Sequence, residues 1–271
     1  IRDSLIRMWG FHTSEYPITG PIPTKQSIQT WLATQVSSHQ LELNSKTGTS
    51  LSASHPNPNV RLDLSAIAKG VAVELATKRL QHLHIPAALI NAGGDVYGYT
   101  AFAGEQNANA WRVAIRNPFI EGDNVIAVIE TKQEEAIFTS GNYIRYHENA
   151  DQRYAHILDP RSGMPVSQVA SVTVIHDQAW RADAAATALM VVGKDEPWPQ
   201  LAQRMGINKV MLIRQDGQVE ISRPMLERLK DSSQRTKLLH HSSWRIIEFP
   251  VSPELENCDS FRHRTDQQST S

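Results

Sequence analysis

The sequence predicts an α+β protein, and three observations lead there. Apolar residues recur at helical spacing over one long segment, and a second segment is rich in alanine. Residues 110–176 read as a succession of strands. Helices and strands are mixed without a regular βαβ alternation, which argues against a doubly wound parallel sheet.

Taken in order, residues 1–60 alternate helix-like pieces with Pro, Ser, Thr and Asn clusters. "TKQSIQTWLATQV" reads as one helix and "SKTGTSLSASHPNPNV" as a loop. From Ala66 to about His84, Ile67, Val71, Leu75, Leu80 and Leu83 mark an amphipathic helix with Asp63 or Ser65 as N-cap. A short apolar strand, "AALI", runs into the glycine loop "NAGGD". "WRVAIR" and "ASVTVIH" alternate, and "VIAVIE" and "EAIFTS" are β-branched and apolar, so all four read as strands. "HIL" reads as a short strand broken by "DPRSGMP". "RADAAATALMVV" and "WPQLAQRM" are helices, and "KVMLIRQDGQVEIS" is a hairpin turning at Asp216-Gly217. Residues 1–225 are expected to fold as one unit. Residues 226–271 lack a sustained period, end in a Ser/Gln/Thr tract and are expected to be a disordered tail.

Composition removes several classes of function. The 271 residues are 40% hydrophobic and 20% charged, with a formal charge of -1. No basic stripe interleaved with aromatics argues for nucleic acid. The longest apolar run, "AAATALMVVG", is too short to span a bilayer. A single cysteine, Cys258, excludes an internal disulfide framework and a cysteine-based zinc site. His240 and His241 read as a solvated pair in the polar tail.

Four segments carry chemistry. In "LDLSAIAKG", Lys69 stands near a helix start, where a cation opposes the dipole; either an anion lies nearby or the lysine is solvated. In "NAGGD", Gly94 belongs to a glycine pair that either admits a ligand to the backbone or makes a tight turn. Asp183 and Thr187 stand at i and i+4, so their oxygens share one helix face. That pair suits a hard cation such as Mg²⁺, or else a dipole-favoured aspartate and a back-bonded threonine. His156 stands beside the Pro-Gly turn. Together these are the parts of a phosphoryl-transfer site: charge neutralisation, positioning and one group to take a proton.

"LDLSAIAKG", "NAGGD", "WRVAIRNP", "TSGNY", "HILDPRSGMP" and "ADAAATALMVVG" stand in the order and near the spacing of the ApbE family of FAD:protein FMN transferases, and "MWGFH" is similar to that family's "LWGFG". The resemblance covers about residues 8–223. It implies Mg²⁺-dependent transfer of FMN from FAD to a Thr or Ser hydroxyl of an acceptor protein, typically a subunit of a membrane redox complex, with release of AMP. It implies a metal site at the carbonyl of Ala66 and the side chains of Asp183 and Thr187, FAD contacts at Lys69 and Leu158, and a general base at His156. It also implies a cell-envelope location on the periplasmic side of the inner membrane. Ser162 stands where the family more often has Thr. Family members carry roughly a further third upstream, so an N-terminally incomplete FAD pocket is expected. Two alternatives stand beside transfer: an FAD pyrophosphatase giving FMN and AMP, and a non-catalytic flavin-binding protein. The second has no need of His156, Asp183 and Thr187 together.

Overall fold

The computed structural model describes residues 3–13, 15–34, 40–46, 50–57, 62–101, 111–120, 122, 124–150, 152–192, 197–229 and 243–249. The chain opens with helix α1 (Asp3–Met8), strand β1 (Ile18–Thr19) and helix α2 (Lys25–Ala33), followed by strands β2 (Glu42–Lys46) and β3 (Ser50–Ser54). The long amphipathic segment is α3 (Ser65–His82). After it come β4 (Ala87–Ala92), β5 (Asp95–Thr100), β6 (Arg112–Arg116), β7 (Val125–Glu130) and β8 (Glu134–Gly141). A hairpin of β9 (Tyr146–Asn149) and β10 (Gln152–Ala155) precedes β11 (Val169–His176) and the alanine-rich α4 (Ala179–Val191). The described chain closes with α5 (Trp198–Arg204), β12 (Lys209–Arg214), β13 (Val219–Ser222), α6 (Arg223–Leu226) and β14 (Trp244–Ile247).

One seven-stranded sheet organises these elements, in the order β14-β13-β12-β11-β8-β5-β4. All its pairs are antiparallel except β13–β14. β11 lies in the middle and is buried along seven of its eight residues, because both faces of the sheet are covered. Its alternate side chains feed different cores. Val172 and Val174 pack with Phe138 and Leu189 under α3, α4 and α5. Ile175 packs with Ile137, Met211 and Ile129 beneath the β6–β7 hairpin. A third cluster, Leu5, Trp9, Phe11, Ile28, Trp31 and Leu158, joins the first two helices to the turn after β10.

Several elements differ from the sequence expectation. Part of "SKTGTSLSASHPNPNV" is not loop: β2 and β3 form an antiparallel hairpin with Glu42 opposite Ser54 and Lys46 opposite Ser50. Its apolar residues, Leu43, Leu51 and Ala53, are sparse among Ser, Asn, Glu and Lys, and Leu43 is exposed, so no buried face marks it in the sequence. The "HIL" strand is absent; β10 ends at Ala155, and Leu158 makes only an isolated bridge to Pro165. The N-cap of α3 is Leu64, with Asp63 Oδ1 accepting the Ser65 N–H at 2.8 Å. Within residues 226–271, Trp244–Ile247 are an ordered edge strand pairing with β13, with Trp244 opposite Val219. Partly buried Trp244 and Ile246 pack against the hairpin-side core, and that burial holds the strand in place. His240, His241 and Cys258 lie outside the described residues. Among the described residues no helix is long and apolar enough to cross a membrane.

Candidate active site

The site begins where α3 crosses α4. At Gly70 any side chain would collide with the other helix, since a Cβ there would sit 2.5 Å from both the Ala179 carbonyl oxygen and Trp180 Cα. The close approach lets Asp183, on the second helix, accept the Gly70 N–H through Oδ2 at 2.8 Å. Asp183 is 3% exposed. Burial raises its pKa, while the Gly70 N–H and the Lys69 charge oppose the rise. One turn on, Thr187 Oγ1 is hydrogen-bonded to Ser140 Oγ of β8 at 3.1 Å.

Among the described residues no three His, Cys, Asp or Glu side chains converge as a metal group. A cation here would draw on mixed oxygens: the second Asp183 carboxylate oxygen, the Thr187 hydroxyl and the carbonyl of Ala66, one turn before Gly70 on α3. That set fits Mg²⁺, which takes oxygen ligands, keeps several waters and uses one or two carboxylates. A bound cation would also offset the desolvation that holds Asp183 toward its neutral form.

Lys69 does not extend freely into solvent. Its ammonium is ion-paired with Asp95 Oδ2, while half its side chain stays exposed. Asp95 is 2% exposed, and its other oxygen accepts the Thr139 N–H at 2.8 Å. Asp95 closes the "NAGGD" turn that joins β4 to β5. There Gly94 adopts φ +101°, its N–H donates to Asn91 Oδ1 at 2.8 Å, and the space where a Cβ would stand is empty to 4 Å. The glycine loop thus leaves open backbone beside a lysine–aspartate pair, as close approach of a ligand requires.

His156 stands at the exit of β10. Its backbone N–H donates to the Arg145 carbonyl at 3.1 Å, and its ring Nδ1 lies 3.2 Å from the same oxygen. A carbonyl only accepts, so Nδ1 carries the proton and Nε2 presents a lone pair. Burial pushes the imidazole pKa down to about 4; the Arg145 and Lys69 charges add to the fall, and the Arg145 carbonyl opposes it. The Lys69 charge therefore acts on both His156 and Asp183, which places the three in one neighbourhood. Leu158 turns its side chain into the third core and is 6% exposed.

The turn that follows is locked from within. Arg161 grips the Asp159 carboxylate through Nε and Nη2, at 2.9 and 3.0 Å, and its Nη2 also donates to the Val191 carbonyl at the end of α4. Gly163 takes φ +69°, with a Cβ position 2.7 Å from Ile28 Cγ2, so only glycine fits. Ser162 Oγ accepts the Met164 N–H at 3.3 Å.

Lys69, His156 and Asp183 thus lie in one neighbourhood, with Gly94 beside the Lys69–Asp95 pair and Thr187 one turn along α4 from Asp183, while Ala66 lies one turn before Gly70 on α3 and Leu158 two residues after His156. The sequence reading missed Asp95 and the Arg145 carbonyl. Asp95 was in view as the last letter of the glycine motif, whereas a backbone acceptor leaves no trace in residue identity.

An oriented imidazole, a buried carboxylate beside a hydroxyl and a paired lysine at an open glycine turn stand together on an α+β scaffold. The chain belongs to the ApbE family, whose sequence model matches residues 3–211. It is 39% identical to an FAD:protein FMN transferase of Rhodobacter capsulatus, over 83% of this chain and 40% of that protein. It is 32% identical to the protein of that name from Vibrio cholerae, over 78% of this chain and 60% of the relative. The chain thus spans between two fifths and three fifths of these relatives' length. Among solved structures, the ApbE protein of Thermotoga maritima superposes with a TM-score of 0.70 at 29% identity, covering 85% of this chain and 71% of that one. The flavin transferase ApbE of Vibrio cholerae gives 0.64 at 29% identity, covering 83% and 68%.

Proposed function

We propose that this chain transfers FMN from FAD to a Thr or Ser hydroxyl of an acceptor protein, releasing AMP. The observation that carries the reading is His156, whose Nδ1 faces the Arg145 carbonyl and whose Nε2 is left as a base beside Lys69. The names of the relatives support the choice of substrate.

In this reading the acceptor hydroxyl gives its proton to His156 Nε2 as its oxygen bonds to the FMN phosphorus. The bridging P–O bond of the pyrophosphate breaks, and AMP leaves with that electron pair. Lys69 meets the pyrophosphate charge. A bound Mg²⁺, held by Asp183, Thr187 and the Ala66 carbonyl, would neutralise charge developing on the phosphate oxygens. The open backbone at Gly94 admits the ligand. An acceptor in a membrane redox complex and a periplasmic location follow from the resemblance alone.

The test is incubation of the chain with FAD, Mg²⁺ and a threonine-bearing acceptor, read by intact mass. A mass gain equal to FMN less water, with AMP released, is expected. Free FMN and AMP without a mass gain would make water the acceptor and the protein a pyrophosphatase. Binding of FAD without either product would leave a flavin-binding protein.

A further inference from the structure

Lysine carries a flexible stem, and its ammonium ordinarily seeks water. Lys69 departs from that habit. Its side chain is 51% exposed, yet its head turns back onto Asp95, whose side chain is 3% exposed. A carboxylate buried to that extent is costly unless it is paired.

The carboxylate is itself fixed by the sheet. The ladder between β5 and β8 ends at Val96 opposite Ile137. Two residues further along β8, the Thr139 N–H donates to the side-chain Oδ1 of Asp95, the first residue of β5. One oxygen of Asp95 thus completes the sheet edge and the other holds the lysine. The ammonium has three donors, and the pair with Asp95 uses one. Beside it lies the glycine turn with open space at Gly93 and Gly94.

Resting on the transferase reading above, we propose that Asp95 is a positioning residue: it pre-orders the Lys69 ammonium so that two of its donors face an incoming pyrophosphate. The contrary role is competition, in which Asp95 keeps the lysine from the phosphate. The two roles predict opposite signs.

Asp95→Asn is the decisive variant, because the amide oxygen still accepts the Thr139 N–H while the charge that holds Lys69 is lost. The full chain is titrated with FAD, with inorganic pyrophosphate as a second probe. The variant is expected to bind both about tenfold more weakly, with the rate at saturating FAD within about twofold of wild type, the scale of one charge-assisted contact. In a Lys69→Ala background the same substitution is expected to leave both affinities unchanged, since Asp95 acts through the lysine. Unchanged or tighter binding in the single variant, or an undiminished loss in the Lys69→Ala background, overturns the proposal.

A third measurement needs no flavin. Labelling of Lys69 by an amine-reactive reagent, mapped by peptide mass, is expected to rise severalfold in Asp95→Asn, and equal labelling overturns the proposal. Should the wild-type chain bind neither probe, the transferase reading fails, and the labelling experiment still decides whether Asp95 holds the lysine.

Discussion

The Arg145 carbonyl oxygen receives the His156 backbone N–H at 3.1 Å and faces the ring Nδ1 at 3.2 Å, so one backbone group sets both the place and the tautomer of the imidazole. The second nitrogen is then a lone-pair base whatever the side chains nearby are doing. That arrangement is what a proton acceptor at a phosphoryl-transfer site requires.

A pH dependence follows. The sequence alone suggests a limb near the unperturbed histidine value of about 6.5. Burial instead moves His156 down to about 4. The neutral base therefore persists across the neutral range and is lost only as pH falls toward 4. The profile of kcat/KM, which reports the free enzyme, is expected to stay flat down to about pH 5. The kcat limb is expected at higher pH, because a bound pyrophosphate favours imidazolium. In the same window the unfolded chain binds a proton that the fold refuses. Stability should therefore rise with pH between about 4 and 6.5 and level off above. A kcat/KM limb near 6.5 that disappears in His156→Ala would show that His156 reacts from a solvated setting and that burial does not hold its pKa down. His156→Ala itself is expected to lose ~10² to 10⁴ in rate while retaining FAD.

Asp183 calls for two variants, because its carboxylate does more than face a cation. Asp183→Ala removes the charged acceptor of the buried Gly70 N–H, a loss of roughly 1.5–3 kcal/mol. Asp183→Asn keeps an acceptor for that N–H and removes only the charge. The asparagine variant is expected to melt near wild type yet lose Mg²⁺-dependent turnover and Mg²⁺ binding by calorimetry. Normal Mg²⁺ binding in a well-folded Asp183→Asn would remove Asp183 from the metal site. Because burial raises the Asp183 pKa, Mg²⁺ affinity should also fall with pH sooner than an exposed aspartate would dictate.

Much of the frame is legible in the sequence. The strand at 170–176 and the alanine-rich helix announce themselves, since both are buried and carry a clear period or composition. What escapes lacks such a signal. "ELNSK" and "SLSAS" pair as a hairpin whose sparse apolar residues mark no buried face, Leu43 being exposed. "WRII" joins the sheet from far along the chain, through a parallel pairing that no local pattern announces. "HIL" misleads because Ile157 and Leu158 are apolar for separate reasons: one enters the helix-side core and the other the N-terminal cluster. The i, i+4 spacing pairs Asp183 with Thr187, and the family resemblance singles out the other candidate side chains, but contacts made by backbone, such as the Arg145 carbonyl, leave no such trace.

Gly70 offers a test of the helix crossing that is independent of catalysis. A methyl group there meets backbone atoms of the opposing helix at 2.5 Å, where no flexible side chain can yield. The two helices must separate, and the Asp183 hydrogen bond must stretch with them. Gly70→Ala is expected to cost about 3 kcal/mol or more, despite alanine's better helix propensity. Urea unfolding measures this directly. A stabilised variant would mean that the crossing is looser than the described geometry.

Arg161 braces the turn that follows His156. Its fork binds Asp159 through two nitrogens and reaches the Val191 carbonyl, tying the turn after His156 to the end of α4. The arginine is 54% exposed, so water screens the ion pair and its loss should cost less than about 1 kcal/mol of stability. Its effect on geometry is larger than its effect on stability, because the turn follows three residues after the imidazole. Lysine offers one point charge and cannot reproduce a two-nitrogen grip together with a third bond. Arg161→Lys and Arg161→Ala are therefore expected to behave alike. Each should lose about tenfold in rate at saturating FAD, a modest share of what a 1 Å misplacement can cost. FAD affinity should change little, since Lys69 is untouched. Melting temperatures separate this from simple unfolding. If the lysine variant keeps full activity while alanine loses it, charge alone suffices and the fork geometry plays no part in aiming His156.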